Sequence, residues 1–169
     1  MAGLRLLQPL AADDHRDSFD CGRDSLNEWF RRHAWRNHEQ DVSRTSVVCT
    51  DPDDGIAGCI ALSAARSERA WLPRRAQRNR PAPIPAILLG RLAVDRDHRK
   101  KGYAASLVQF AFATAVRLAA DIGCYGVLTH PLDEELRAFY VRFGFRDLPF
   151  GPRRGMFVRI AGLEAIGFG

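Results

Sequence analysis

The chain lacks the usual marks of a metal or redox protein. It carries four cysteines, Cys21, Cys49, Cys59 and Cys124, and no two of them form a Cys-x-x-Cys pair. Neither a zinc site nor a redox motif is indicated, no metal is expected, and the four read as small buried hydrophobes in a reducing compartment. No apolar run approaches the roughly 20 residues of a membrane span. The start, Met1-Ala2-Gly3-Leu4-Arg5, has no long apolar core of the kind that marks a secretory leader. A cytoplasmic address is therefore expected. A Walker glycine-lysine loop and a Rossmann glycine triplet are both missing, which argues against a nucleoside triphosphate or a dinucleotide as the ligand. No repeat, linker or second core interrupts the pattern, so residues 1–169 are expected to form one domain.

What is present is an ordinary globular composition, 46% hydrophobic and 27% charged, with a formal net charge of +5. The basic residues are mostly arginine, the better side chain for forked contact with phosphate. This balance favours an anionic partner, either a coenzyme or a nucleic acid, without choosing between them.

The stretch around which the chain is organised runs from Ile87 to Phe112. Ala86 to Val94 is almost continuously apolar and predicts a central buried strand. Asp95 to Lys101 is a basic turn, and Gly102 to Ile122 predicts a long helix. Its apolar positions are Leu107, Val108, Phe110, Ala111, Ala115, Leu118, Ala119 and Ile122, and Gly123 stops it.

On the N-terminal side, Leu4 to Leu10 reads as a first strand and Phe19 to Gly22 as the lead into a helix over Arg23 to Gln40. That helix is expected to turn Leu26, Trp29/Phe30 and His33/Ala34 inward. Thr45 to Thr50 and Ile56 to Ala64 read as a hairpin across the turn Asp51 to Gly55, with Gly58 marking a bulge or a close approach. Arg66 to Pro85 shows no periodicity and reads as a mobile basic loop with a short helix near Pro73 to Asn79.

On the C-terminal side, Tyr125 to Thr129 predicts a strand. Asp133 is a good N-cap for a short helix that holds Leu136, Phe139 and Tyr140 and ends near Gly144. Phe145 to Leu148 and Met156 to Ile160 read as a last pair of strands. The element order β, α, β, β, loop, β, α, β, α, β, β is that of an α/β (α+β) protein.

A strand, a glycine-containing basic turn and a helix start together make an anion cradle. Amides in the first turn of a helix lack acceptors and sit at the positive end of its dipole. Gly102 permits close approach or positive φ, Ala104 is small, and Arg99, Lys100 and Lys101 add charge. The plainer reading is a solvated surface turn; the buried strand before it and the long helix after it favour the cradle.

The segment Phe139-Tyr140-x-x-Phe143-Gly144-Phe145 reads first as packed aromatics. Tyr140 differs because its hydroxyl needs a partner. A phenol with a pKa near 10 can give a proton to a departing thiolate of similar basicity.

Arg91-Leu92-Ala93-Val94-Asp95, Arg99-x-x-Gly102-x-Ala104 and Ala138-Phe139-Tyr140-x-x-Phe143-Gly144-Phe145 together resemble the GNAT acetyltransferases. The resemblance narrows with Phe19-x-Cys21-Gly22-x-x-x-Leu26-x-x-Trp29-Phe30, with Ala61-Leu62-Ser63-Ala64, and with Pro83-Ile84-Pro85-Ala86 running into the Leu92 strand. These are similar to the GNAT toxins of bacterial type II toxin–antitoxin pairs, and they span nearly the whole chain. The departures lie in the turn: Arg99 stands where glutamine is common, Lys100 where glycine is frequent, and Ala104 where glycine occurs.

The resemblance implies a GNAT fold. Its mixed central sheet would have six to seven strands with helices on both faces, splayed at the acetyl-CoA site between the strands of Leu92 and Val127. It implies that acetyl-CoA is held by Leu92, Ala93, Val94, Arg99, Lys100, Lys101, Gly102, Tyr103, Ala104 and Phe143. Backbone amides near Leu92 to Val94 would polarise the thioester carbonyl, with Tyr140 as the catalytic proton donor. It further implies that the acyl acceptor is the α-amine of aminoacyl-tRNA, that translation is blocked, that the antitoxin is a ribbon-helix-helix protein and that the toxin is a homodimer.

No strong general base stands out, since His130 reads as a strand end and Asp133 as a cap. An α-amine, with a pKa of about 7.7–8.0 against about 10.4 for lysine, has less need of one. The basic face expected to meet tRNA comprises Arg31, Arg32, Arg36, Arg74, Arg75, Arg78 and Arg91, or the loop among them serves the antitoxin. Two other readings share parts of this pattern. One is a GNAT enzyme for a small-molecule or protein amine; the segment 66–85, with Glu68 as its only acid, is poorly suited to a cationic amine. The other is a non-catalytic acyl-CoA sensor or nucleic-acid-binding module, which would have no need of Tyr140 as a proton donor.

Overall fold

The computed structural model describes residues 7–50, 55–151 and 154–165. Seven strands are joined in one open sheet in the order β1-β2-β3-β4-β5-β7-β6. They are β1 (Gln8–Pro9), β2 (Arg44–Cys49), β3 (Ile56–Ser67), β4 (Ile84–Val94), β5 (Gly126–Thr129), β6 (Arg146–Asp147) and β7 (Met156–Arg159). The helices are α1 (Asp24–Arg32), α2 (Ala34–Glu39), α3 (Arg74–Gln77), α4 (Tyr103–Asp121), α5 (Glu134–Arg142) and α6 (Ile160–Ala165). Single 3₁₀ turns occupy Arg69–Trp71 and Arg96–His98. The mixed six-to-seven-stranded sheet expected from the sequence is thus present.

By its contacts the chain divides into two units, Met1–Ser63 with Gly90–Gln109, and Ala64–Leu89 with Phe110–Gly169. In the first, β1, β2 and β3 are antiparallel, with a register shift between Val48 and Cys49. Leu26 and Phe30 of α1 and Ala34 of α2 are buried with Phe19, Cys21, Val47, Ile56, Cys59 and Ala93. The Phe19 and Phe30 rings lie 4.7 Å apart. A phenylalanine removed from water in this way contributes about 1.5–3 kcal/mol. The single helix expected over Arg23–Gln40 is two helices joined at His33, and His33 is exposed rather than turned inward. Gly58 fulfils its sequence signal as a close approach: a Cβ there would lie 3.2 Å from both the Ala93 carbonyl oxygen and Leu107 Cδ1. The apex of the expected hairpin, residues 51–54, lies outside the described residues, as do residues 4–6 of the expected first strand.

In the second unit, β4 and β5 form a parallel ladder from Ala86↔Gly126 to Leu89↔Thr129. β7 pairs antiparallel with β5, and β6 pairs with β7. The last strand in the chain is thereby inserted beside β5. The ladder stops at Leu89 and Thr129, and β4 runs on to Val94 without a β5 partner. Segment 66–85 is more structured than its lack of periodicity suggested. β3 extends to Ser67, α3 falls where a short helix was expected, and β4 begins at Ile84 rather than Ala86. Leu72 and Ile84 are its buried anchors, packed with Leu128, Leu148 and Phe157.

α4 has the length and apolarity of a membrane span by composition. Its Tyr103, Leu107, Val108, Ala111, Phe112 and Ala115 are buried as one face, while Ile122, expected on that face, is 59% exposed. α6 begins at Ile160, which was expected to end the last strand, and follows β7 directly.

Candidate active site

The turn that precedes α4 is built in the first unit. Asp95 closes the end of β4: its Oδ1 accepts the Asp97 amide at 3.0 Å and its Oδ2 the Asp20 amide at 3.0 Å. His98 Nδ1 stands 3.4 Å from the same carboxylate. The chain then passes through Lys100 at φ +60° and Gly102 at φ +84° before α4 begins at Tyr103. Two left-handed residues two apart turn the amide plane twice, a conformation that glycine adopts freely and lysine does not. Ser106 N–H and its hydroxyl both donate to the Gly102 carbonyl, at 3.1 and 3.2 Å. The amides of the first turn of α4 are left without helical acceptors, as at any helix start. A Cβ on Gly102 would meet no atom within 4 Å, so this side of the turn is open. Lys100 and Lys101 are exposed. An open backbone face, free amides and two unburied cations suit a pyrophosphate.

The named coenzyme residues divide by what they can offer. Leu92 and Ala93 are buried and Val94 is half-buried, so they present backbone. Tyr103 is buried with its ring edge-on to His98 at 6.3 Å, leaving its amide as the available group. The Arg99 guanidinium donates to the Cys21 carbonyl at 2.6 Å and so braces the N-terminal Cys-Gly turn. A Cβ on Gly22, at φ +83°, would lie 2.8 Å from Arg99 Nη2.

Around that turn is a network the sequence reading missed. Asp20 accepts from the Gly22 amide at 2.8 Å and from Asn27 Nδ2 at 2.9 Å, and pairs with Arg96 at 3.3 Å. Asn27 Oδ1 in turn accepts the Cys21 amide at 2.8 Å. The Gly22 amide, then Asn27 and the arginines, hold the Asp20 carboxyl below the usual carboxylate range. Nothing in periodicity marks these polar residues; the Phe19-x-Cys21-Gly22 motif was their only trace. Burial, with Cys21 beside it, pushes the Cys59 thiol far up, so that it stays protonated and inert.

In the second unit, Asp133 caps α5 as expected, accepting the Leu136 amide at 2.9 Å. Gly144 leaves the helix at φ +92°. Tyr140 is 4% exposed, its ring edge-on to Phe139 at 5.3 Å and to Phe145 at 5.2 Å. Phe143 is half-buried 5.0 Å from Phe139. Two aromatic contacts, with Phe139 and Phe145, therefore pack the Tyr140 ring, and Phe143 backs Phe139.

Of the arginines expected to meet tRNA, Arg31, Arg32, Arg36 and Arg91 lie in the first unit and Arg74, Arg75 and Arg78 in the second. Arg31 donates to the Phe19 carbonyl. Arg32 pairs with Glu28 at 3.4 Å, and Arg91 lies over Trp29 at 5.5 Å. Arg36, Arg74, Arg75 and Arg78 are exposed. Among the described residues no group of three His, Cys, Asp or Glu is placed to hold a metal.

Residues 43–147 match the acetyltransferase (GNAT) domain family. The chain therefore belongs to the GNAT acetyltransferase family, as its motifs suggested, and is an acetyl-CoA-dependent N-acetyltransferase. It is 38% identical, over 90% of its own length and 90% of the relative's, to a Mycobacterium tuberculosis protein named tRNA-acetylating toxin. Its fold is similar to that of AtaT solved with acetyl-methionyl-tRNAfMet, with a TM-score of 0.88, 30% identity and coverage of 95% of this chain and 98% of that one. It is also similar to a mutant AtaT toxin bound to the C-terminus of the antitoxin AtaR and acetyl-CoA, with a TM-score of 0.80, 26% identity and coverage of 95% and 96%.

Proposed function

We propose that this protein transfers the acetyl group of acetyl-CoA to the α-amine of aminoacyl-tRNA, so blocking translation, and that it is the toxin of a toxin–antitoxin pair. The observation that carries this reading is the whole-chain likeness, in sequence and in fold, to a tRNA-acetylating toxin and to AtaT in complex with its acetylated tRNA. The charge distribution supports it: the exposed Arg74, Arg75 and Arg78 suit a phosphate backbone and would repel a small cationic amine.

In this reading residues 1–169 act as one catalytic domain. The amides of the turn at Lys100–Ala104 and the lysine charges hold the phosphates, and Phe143 flanks the coenzyme. Bound acetyl-CoA supplies the acetyl group as a thioester and departs as a thiolate. The backbone at Leu92 to Val94 holds the carbonyl oxygen, where developing charge is best stabilised by preset donors. The Tyr140 hydroxyl holds the proton that the thiolate takes. An α-amine, substantially neutral near pH 8, attacks without a dedicated base. Arg31, Arg32, Arg36 and Arg91 with Arg74, Arg75 and Arg78 receive the tRNA backbone. The protein acts in the cytoplasm as a homodimer and is restrained by a ribbon-helix-helix antitoxin; the AtaT–AtaR complex supports the pairing in kind.

The test is incubation with labelled acetyl-CoA and a complete set of charged tRNAs, followed by identification of the N-acetylated amino acid. Label in the aminoacyl ester of one or a few isoacceptors is the expected result. Label confined to small amines or protein, with every charged tRNA inert, would overturn the proposal.

A further inference from the structure

The second unit carries an exposed aromatic surface that the chemistry above leaves unused. Phe150, between β6 and β7, is 55% exposed. Its amide donates to the Trp71 carbonyl at 3.4 Å. A Cβ on the neighbouring Gly151 would lie 3.5 Å from Trp71 Cβ and Cγ, so the chain at Gly151 passes against the Trp71 side chain. Trp71 is only half-buried. A single exposed apolar side chain is ordinary, but an exposed phenylalanine beside a half-buried tryptophan offers a π face that a flat ligand can stack on.

Topology puts this surface at one particular end of the sheet. The β4–β5 ladder ends at Leu89↔Thr129, and Thr129 pairs with Met156, the first residue of β7. Asp147, the last residue of β6, also pairs with Met156. Residues 148–151, which follow β6, therefore leave the sheet at the carboxyl end of β5, the end where α/β sheets receive ligands.

The charge beside it that is left without an opposite partner is positive. α3 follows Trp71 after Leu72 and Pro73 and folds back on the turn that holds it, with Gln77 Nε2 donating to the Leu72 carbonyl at 2.8 Å. This sets the helix that carries Arg74 and Arg75 against the turn that carries Trp71. They and Arg78 are exposed. The acids of the neighbouring elements are already matched: Glu68 pairs with Arg66, Asp147 with Arg137, and Glu134 with Arg137 and Arg154. Arginines alone would serve any acidic chain. Arginines around an exposed aromatic face fit unstacked nucleotides, whose bases stack while their phosphates take the guanidinium forks.

We infer that Phe150 and Trp71, flanked by Arg74, Arg75 and Arg78, form the stacking platform for the single-stranded 3′-terminal nucleotides of the aminoacyl-tRNA. This rests on the proposed function, because that end of the tRNA carries the amine to be acetylated. It adds how the end is held: by stacking at Phe150, in addition to phosphate contacts.

The test compares binding of an RNA hairpin with an unpaired 3′ tail to binding of the same hairpin made blunt. Phe150→Ala is expected to bind the tailed hairpin about tenfold more weakly than the parent protein, and the blunt hairpin equally. Phe150→Tyr restores binding because it keeps a π face. Phe150→Leu, apolar but without one, behaves like the alanine variant. The KM for acetyl-CoA stays unchanged in all three. Because Phe150 is exposed, these variants keep the fold, and matching melting temperatures verify it. Equal affinity of the alanine variant and the parent for the tailed hairpin overturns the inference, as does an equal loss for both hairpins. These outcomes are separate from the acetylation assay. A protein that acetylates charged tRNA with no Phe150-dependent tail binding refutes the platform alone. One that shows this tail binding but leaves every charged tRNA inert refutes the proposed reaction alone.

Discussion

Lys100 gives a sharp test of the coenzyme turn, because its backbone and its charge can be separated. It sits at φ +60°, where a side chain with a Cβ pays about 1–2 kcal/mol against the following carbonyl. Lys100→Gly removes that cost but widens the unfolded ensemble by roughly 0.5–1 kcal/mol. Lys100→Ala keeps the Cβ and its strain. Both variants lose the same charge. The glycine variant is therefore expected to be more stable than the alanine variant by about 0.5–1 kcal/mol. For a chain of this size that is about 1–4 °C in melting temperature, read by calorimetry. Both variants are expected to raise the KM for acetyl-CoA by about two- to fivefold, the effect of one exposed cation near a diphosphate, and the rise should shrink with added salt. Equal melting temperatures for the two variants would refute the left-handed turn. An unchanged KM in both would remove Lys100 from the coenzyme contacts.

Two further substitutions test the other half. Tyr140→Phe removes one oxygen from a ring held by Phe139 and Phe145; the melting temperature should fall by no more than about 6 °C while kcat falls by about 10²–10⁴ at unchanged acetyl-CoA affinity, and a kcat within threefold of the parent would reject its role as acid. Gly126→Ala places a Cβ 2.3 Å from the Val158 carbonyl oxygen and from Phe157 Cε1, so β5 and β7 must part; a loss of about 3 kcal/mol or more is expected, seen as a fall of roughly 6 °C or more in thermal unfolding, and a fall under 2 °C would contradict the β5–β7 register.

Much of the frame was readable locally. The apolar run into Val94, the periodicity from Leu107 to Ala115, Asp133 before α5 and Gly144 after it are each signals carried by a few neighbouring residues. Their physics is equally local: burial on one face, a capped amide, a permitted positive φ. The misreadings arose where local signals were weak or overruled. Residues 66–85 looked structureless because Leu72 and Ile84, the two residues that anchor them, are too far apart to form a period. Pro85 hid the start of β4, yet a strand tolerates it there, since its carbonyl still accepts the Tyr125 amide at 2.9 Å. His33 interrupts the first helix without any proline or glycine to announce it.

By itself, then, the sequence determined the family, the turn-and-helix cradle and the candidate acid Tyr140, because each is written in contiguous residues whose types the chemistry demands. The tertiary structure alone decided how these groups are held. Arg99 meets the Cys21 carbonyl across 78 positions, and the Asp95 carboxylate meets the Asp20 amide across 75. β7 enters the sheet ahead of β6, and the Phe150 amide reaches the Trp71 carbonyl. Such contacts join residues with no shared period or motif. Their partners are chosen by which surfaces the sheet order brings together, and no stretch of sequence contains that information alone.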